Sequence, residues 1–377
     1  MGAPFYMASK PHYIILDALR GVAALVVVCY HFGEGFASSV RDQAFNHGYL
    51  AVDLFFMLSG FVLGYAYDRR RWESMTTADF IRRRFIRLHP MLVFGVLLGV
   101  IAFLIQGSVK WDGSSVQTGL VAADAVSHSL LIPTLPGWLT EIRGNGEAFP
   151  LNGPHWSLWF EYLGSFLFAL LFRRLSTRWL GILTSLFALA LVAVCIFKVS
   201  GDYSLGVGWT FGGWGFVAGL IRLLFPFCLG LLMARVFRPV KVKGAFWICA
   251  GIIVVALGMP WMGTETNPWL NSLYELACVI LVFPVIVWLG ASGTNSHPKT
   301  AGLCLFLGAI SFPLYAVHYP LMYLFYHHVW TNGLSWAQVW PWAVVILLAS
   351  IAIAWLALKF YDEPLRRRLT ESLKKKN

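Results

Sequence analysis

The chain has 377 residues, 58% hydrophobic and only 12% charged, where a soluble domain carries about a quarter charged. That deficit excludes an ordinary soluble or disordered protein, and apolar runs of roughly 20 residues without a polar face make this a polytopic helical membrane protein. The net charge of +11 would suggest nucleic acid in a soluble chain, but no aromatic–basic module accompanies it, so it reads as membrane topology and nucleic-acid binding is set aside.

Ten spans are expected, at about 14–32, 49–67, 88–106, 155–172, 179–197, 214–234, 245–261, 270–290, 302–326 and 340–358. Of the 29 basic residues, 23 fall in the N-terminus, alternate loops and the tail, beginning with Lys10 and concentrated at Arg69, Arg70, Arg71, Arg82, Arg83, Arg84 and Arg87 and again at Arg366, Arg367, Arg368, Lys374, Lys375 and Lys376. Four, Arg41, Lys110, Arg143 and Lys198, fall in the other loops. The positive-inside rule then puts both termini in the cytoplasm, which needs an even number of spans and agrees with ten. The expected fold is all-α and multi-pass, a single unit over 1–377 with its core at 10–365, a basic tail at 366–377 and no appended soluble domain. Asp17 and Arg20 interrupt the first apolar run, so no cleaved signal peptide is expected. The six cysteines lie singly in apolar stretches, which predicts neither disulfides nor a zinc site, and no metal. The segment 107–154, rich in Gly, Ser, Pro and Asn, is expected to lack a fold of its own and to serve as a surface loop or a lid.

Titratable groups inside spans are costly and by default mark function. The first span, "LDALRGVAALVVVCYHF", holds Asp17 and Arg20 near its cytoplasmic end and His31 toward the outer half. Arg20 and His31 are eleven residues apart, close to three turns, so they project from one face about 16 Å apart along the axis. Asp17 and Arg20 stand i, i+3 and can pair. The second span carries Asp53 near its outer end, and Ser59-Gly60 where backbones can approach closely. In "RRRFIRLHP", Arg84 and Arg87 share a face of a short helix, with Arg83 beside them, and suit phosphate at the cytoplasmic mouth. The alternative there is ordinary topology charge or lipid-headgroup binding. The fourth span, "GPHWSLWFEYLGSF", brings Trp156, Ser157 and Glu161, with Ser157 and Glu161 on one face and Glu161 deep enough to need a partner. In "ISFPLYAVHYP", Ser311, Tyr315 and His318 form one stripe between Pro313 and Pro320, either the wall of a cavity or interhelical glue. The closing "YDEPLRRR" reads as structural.

Taken in order, these stretches resemble the bacterial membrane acyltransferase family 3, which includes O-antigen acetylases, nodulation-factor acetylases and macrolide acyltransferases. The resemblance covers the whole transmembrane chain. Its most specific piece is Arg20, ten residues, His31, joined by "DLFFMLSGFV", the Arg84-x2-Arg87 pair, "WSLWFE", "ISFPLYAVHYP" and "YDEPLRRR". It implies a multi-pass protein of the inner (cytoplasmic) membrane that moves an acyl group, acetyl by first expectation, from cytoplasmic acyl-CoA to a hydroxyl of a glycan or lipid-linked saccharide, often on the extracytoplasmic side. Two departures stand out. No fused periplasmic esterase-like domain, which some members carry, is expected, and His89 of "RLHP" stands where many members have another residue, so it is given no role.

The residues then take expected roles. His31 is the general base, oriented by Glu161 or Asp53; a transient acyl-histidine is an open alternative. Arg20, through Asp17, organises the helix or the donor, and Arg83, Arg84 and Arg87 hold CoA phosphates. Trp156, Ser157, Ser311, Tyr315 and His318 line the substrate path, with Ser157 and Tyr315 as candidates for oxyanion stabilisation. Two rival readings stay open: a proton-coupled transporter relaying through His31, Glu161 and Asp53, and a non-catalytic partner in polysaccharide assembly.

Overall fold

The computed structural model describes residues 13–67, 75–294 and 298–374. Lys10, Arg69, Arg70, Arg71, Lys375 and Lys376 lie outside the described residues. Helices dominate: α1 (Ile14–Glu34), α2 (Ala51–Tyr67), α3 (Thr77–Ile105), α4 (Thr118–Ser129), α5 (His155–Leu170), α6 (Thr177–Ile196), α7 (Trp214–Val236), α8 (Ala245–Gly258), α9 (Trp269–Ser292), α10 (Pro298–Asn332), α11 (Trp336–Ala357) and α12 (Glu363–Lys374). Wide π turns at Cys278–Val282 and Leu358–Asp362 interrupt α9 and join α11 to α12. A two-residue parallel pairing of Val242–Lys243 with Gly293–Thr294 is the sheet among the described residues.

All ten expected spans are helical, and the protein is an all-α polytopic membrane protein. Among the described residues, eight helices are long and apolar enough to cross a membrane. The other two, α5 and α8, have 16 and 14 residues. At 1.5 Å per residue these fall short of a hydrocarbon core of about 30 Å. Two expectations need correction. The arginine stretch at 82–87 is no separate short helix. It forms the first turns of α3, which starts at a Thr76–Asp79 capping box and runs unbroken through Pro90 to Ile105. Segment 107–154 does have a fold: α4 lies within it, and Asp124, His128, Arg143, Phe149 and Asn152 are fully buried.

Two helix pairs set the frame. α1 packs most extensively along α10, and α2 along α7. Both crossings depend on glycine. A Cβ on Gly60 of α2 would sit 2.1 Å from the Phe227 carbonyl oxygen, and one on Gly230 of α7 would sit 2.1 Å from that of Met57. The close approach anticipated at Ser59-Gly60 is therefore real, and it is reciprocal. In a bilayer, where association draws on close packing rather than on a hydrophobic drive, small residues at the crossing let backbones touch.

Candidate active site

Two cavities lie at opposite ends of α1. One, of about 400 Å³, is lined by Asp17, Arg20, Arg87, Ser311, Asp362 and Arg366 and is called here the basic cavity. The other, of about 410 Å³, has Tyr30, His31, Glu34, Trp111, Glu147, Trp156 and Tyr319 among its walls and is called the aromatic cavity. Between them a void of about 20 Å³, room for roughly one water, is bounded by Arg20, Phe55, Ser157, Glu161, Phe312 and Tyr315. It shares Arg20, Ser311 and Phe312 with the basic cavity and Val52 and Tyr315 with the aromatic one. The helical geometry of α1 thus puts Arg20 at one cavity and His31 at the other, with a narrow neck between.

At the aromatic end, His31 Nδ1 donates to Glu34 Oε2 at 2.6 Å, one turn further along α1. The Tyr326 hydroxyl from α10 lies 2.9 Å from the same carboxylate oxygen and 2.7 Å from the His31 carbonyl. A carboxylate only accepts, so neutral His31 carries its proton on Nδ1 and keeps a lone pair on Nε2. The ring stacks on His318 with centroids 5.4 Å apart, and Tyr319 meets it edge-on at 4.6 Å. His318 is locked in the same tautomer, because its Nδ1 faces the carbonyls of Leu314 and Tyr315 at 3.1 and 2.9 Å. Its Nε2 is buried without a hydrogen-bond partner among the described residues.

Glu34 replaces the expected partners of His31. Glu161 instead accepts from Arg84 at 2.8 Å, and Arg84 also donates to Ser165 at 3.0 Å; both members of this ion pair are buried. Asp53 is buried against Arg222 of α7, whose guanidinium donates through Nε at 3.2 Å and through Nη2, and also reaches the carbonyls of Val207 and Tyr49. The physical reason is distance from neutrality: a buried carboxylate beside a buried guanidinium satisfies both charges, whereas a neutral imidazole would satisfy neither. Arg84 therefore faces Glu161 and lines none of the three voids, while Arg87, one turn on, opens into the basic cavity. Arg83 is exposed and also lines none of them.

The remaining expected residues gather on the path. The Ser157 and Tyr315 hydroxyls are 2.7 Å apart at the neck. Trp156 walls the aromatic cavity, with the Arg222 guanidinium 5.5 Å over its ring. Ser311 borders both neck and basic cavity, its hydroxyl donating to the Gly308 carbonyl. Sequence reasoning missed Glu34, Glu147, Arg222, Arg366 and, on α10, Tyr319, Tyr323 and Tyr326. Glu34 had a signal, since it stands i, i+3 from His31 and so shares its face. Arg366 had none: it reaches the basic cavity only because α12 folds back beside α3, 3.0 Å from Asp362.

No site for a metal, in the form of three or more clustered His, Cys, Asp or Glu side chains, occurs among the described residues. The chain is 29% identical over 366 residues to the acyltransferase MdmB of Streptomyces mycarofaciens, covering 91% of this chain and 87% of that one. It is 36% identical over 172 residues to protein 2 in the picA locus of Rhizobium radiobacter, covering 43% of this chain and 85% of that one. It is 22% identical over 380 residues to the O-acetyltransferase OatA of Staphylococcus aureus, covering 95% of this chain and 58% of OatA. No solved structure matches it. The model of a family described as an acyltransferase domain matches residues 13–359, and the chain belongs to that family, the membrane acyltransferase family 3.

Proposed function

We propose that the protein transfers an acyl group, acetyl in the first instance, from cytoplasmic acyl-CoA to a hydroxyl of a glycan or lipid-linked saccharide at the extracytoplasmic side of the inner membrane. The observation that carries this reading is the pair of cavities at the two ends of α1, one bordered by Arg20, Arg87 and Arg366 interspersed with Asp17, Asp362 and Glu363, and the other by His31–Glu34 and aromatic rings. Arg20, Arg87 and Arg366 supply the cations that CoA phosphates need, and guanidinium forks match phosphate oxygens well. The pantetheine arm is long and thin, and the neck beside Phe55, Phe312 and Tyr315 is the route by which a thioester would reach His31. Aromatic walls with interspersed carboxylates suit a saccharide, whose ring faces are apolar and whose hydroxyls need acceptors.

In this scheme the acceptor oxygen attacks the thioester carbonyl carbon while His31 Nε2 takes the hydroxyl proton. Glu34 holds the ring and stabilises the imidazolium through the 2.6 Å bond. The carbon–sulfur bond breaks, the proton passes to the departing thiolate, and ester and free CoA result with no net proton change. The Ser157 and Tyr315 hydroxyls, 2.7 Å apart at the neck, serve in this scheme as donors to the developing oxyanion. A proton relay through His31, Glu161 and Asp53, as a transporter would need, finds little support, because both carboxylates are held by arginines.

The test is purified protein in detergent with labelled acetyl-CoA. CoA release and label transfer to glycans are followed for wild type and for His31→Ala. Acceptor-dependent transfer that disappears in His31→Ala supports the reading; undiminished transfer by that variant sinks it.

A further inference from the structure

The aromatic cavity holds a second carboxylate, and it is mounted like the first. Glu34 is bonded by Tyr326, and Glu147 accepts a hydrogen bond from the hydroxyl of Tyr323. Tyr323 and Tyr326 are three residues apart on α10, so they share a face and are offset by about 4.5 Å along the axis. Both carboxylates line the same cavity. One sits on the catalytic imidazole; the other sits away from it.

Glu147 is built in with care for a residue in a loop. Its other oxygen accepts from Asn145 Nδ2 at 2.8 Å, and Asn145 also lines the cavity. Behind it, Arg143 is almost fully buried. Its guanidinium lies 3.4 Å from the centroid of the Tyr323 ring, with Trp111 and Phe103 at 4.9 and 5.0 Å. Its Nε donates to the Pro150 carbonyl and its Nη1 to Gln106 Oε1, which clamps segment 107–154 onto the end of α3. The caged cation offsets the charge of Glu147, so a carboxylate can remain at the cavity wall without a direct ion pair consuming its oxygens.

We propose that Glu147, braced by Tyr323 and Arg143, anchors the acceptor: it takes a hydrogen bond from a hydroxyl neighbouring the one that His31 deprotonates, and so selects which hydroxyl of a polyhydroxylated ring is acylated. The proposal rests on the glycan-acylation reading above. Glu147 is a positioning residue, since it touches the acceptor but not the reacting atoms. Hydrogen bonds to charged groups contribute enough to discriminate ring orientations, roughly ten- to a hundredfold each.

The experiment gives wild type, Glu147→Gln and Tyr323→Phe acetyl-CoA and a panel of methyl glycosides of hexoses and N-acetylhexosamines. It measures acceptor KM, donor KM and, by NMR, the position of the ester. Glu147→Gln should raise acceptor KM roughly ten- to a hundredfold, leave donor KM unchanged and add a second acylated position. The same ester position with a wild-type acceptor KM would overturn the proposal and leave Glu147 as a brace for the segment. Should Glu147→Gln fail to fold, Tyr323→Phe decides, because it keeps the ring under Arg143 and removes only the hydroxyl. An acceptor KM raised several-fold then supports the anchor, and an unchanged one overturns it. If the wild type acylates none of the glycosides, the glycan reading itself fails, which is a distinguishable result.

Discussion

The basic and aromatic cavities have nearly the same volume, about 400 and 410 Å³, yet they are built in different ways. In the aromatic cavity the groups proposed to do chemistry are fixed by neighbours: His31 by Glu34, Glu34 by Tyr326, Glu147 by Tyr323 and Asn145. In the basic cavity the cations come from three separate helices, Arg20 on α1, Arg87 on α3 and Arg366 on α12, and Arg87 remains exposed. The difference teaches what each task requires. Proton transfer demands an atom held within a fraction of an ångström. Holding phosphates demands charge, which acts over longer range and tolerates mobile side chains.

That contrast can be broken or sharpened by substitution. The largest effect is expected at the fixed end. His31→Ala should lower kcat by roughly 10²–10⁴-fold, and Glu34→Gln by a lesser but still large factor, with donor binding retained in both; titrating acyl-CoA binding beside transfer checks this. Next come the buried ion pairs that frame the neck. Glu161→Gln leaves the buried Arg84 without its counter-charge and should cost about 3–5 kcal/mol of stability, read as a lowered thermal transition in detergent, whereas replacing both by apolar residues should recover much of it. If Glu161→Gln instead kept full stability and lost only activity, Glu161 would be a catalytic rather than a framing residue.

Smaller and different in kind is the effect at the open end. Arg20→Ala and Arg87→Ala should each raise donor KM several-fold, more steeply at low ionic strength, and leave acceptor KM alone. Arg83→Ala, four residues before Arg87 on the exposed side of α3, serves as the control and should leave donor KM at the wild-type value. The smallest expected effect lies in the outer segment. Burial pushes the Asp124 carboxyl up to about 7 and His128 down to about 3, so their contact 3.2 Å apart is not an ion pair, and the Thr134 hydroxyl joins them, donating to Asp124 at 2.9 Å and lying 3.3 Å from His128 Nε2. A carboxyl whose folded pKa lies above its unfolded value of about 3.9 binds its proton more tightly when folded. Its contribution is therefore fully present below about pH 4 and is lost as pH rises through 7. His128 acts in the opposite sense, because a histidine held neutral in the fold opposes folding as pH falls below its unfolded value of about 6.5. The two nearly cancel between about pH 4 and 6.5, so Asp124→Asn should uncover the His128 dependence, with α4 opening more readily as pH falls through that window, read by hydrogen exchange corrected for its intrinsic pH dependence.

Much of this protein was legible without a fold. Composition and apolar runs of membrane length dictate a helical bundle in a bilayer, because no other backbone arrangement satisfies its polar groups there. The 3.6-residue repeat alone puts Arg20 and His31 on one face, three turns apart, and this became the line between two cavities. Partnerships between helices are what the tertiary structure decided. Glu161 and Asp53 each had several conceivable partners, and which cation lies opposite depends on how α3 and α7 pack, a long-range matter that one-dimensional spacing does not encode. The same holds for segment 107–154. Its polar composition reads as loop, but Arg143 among aromatic rings and the buried Asp124–His128 contact give it a fold that local sequence does not announce. Local periodicity fixes what a helix shows; packing fixes what it is shown to.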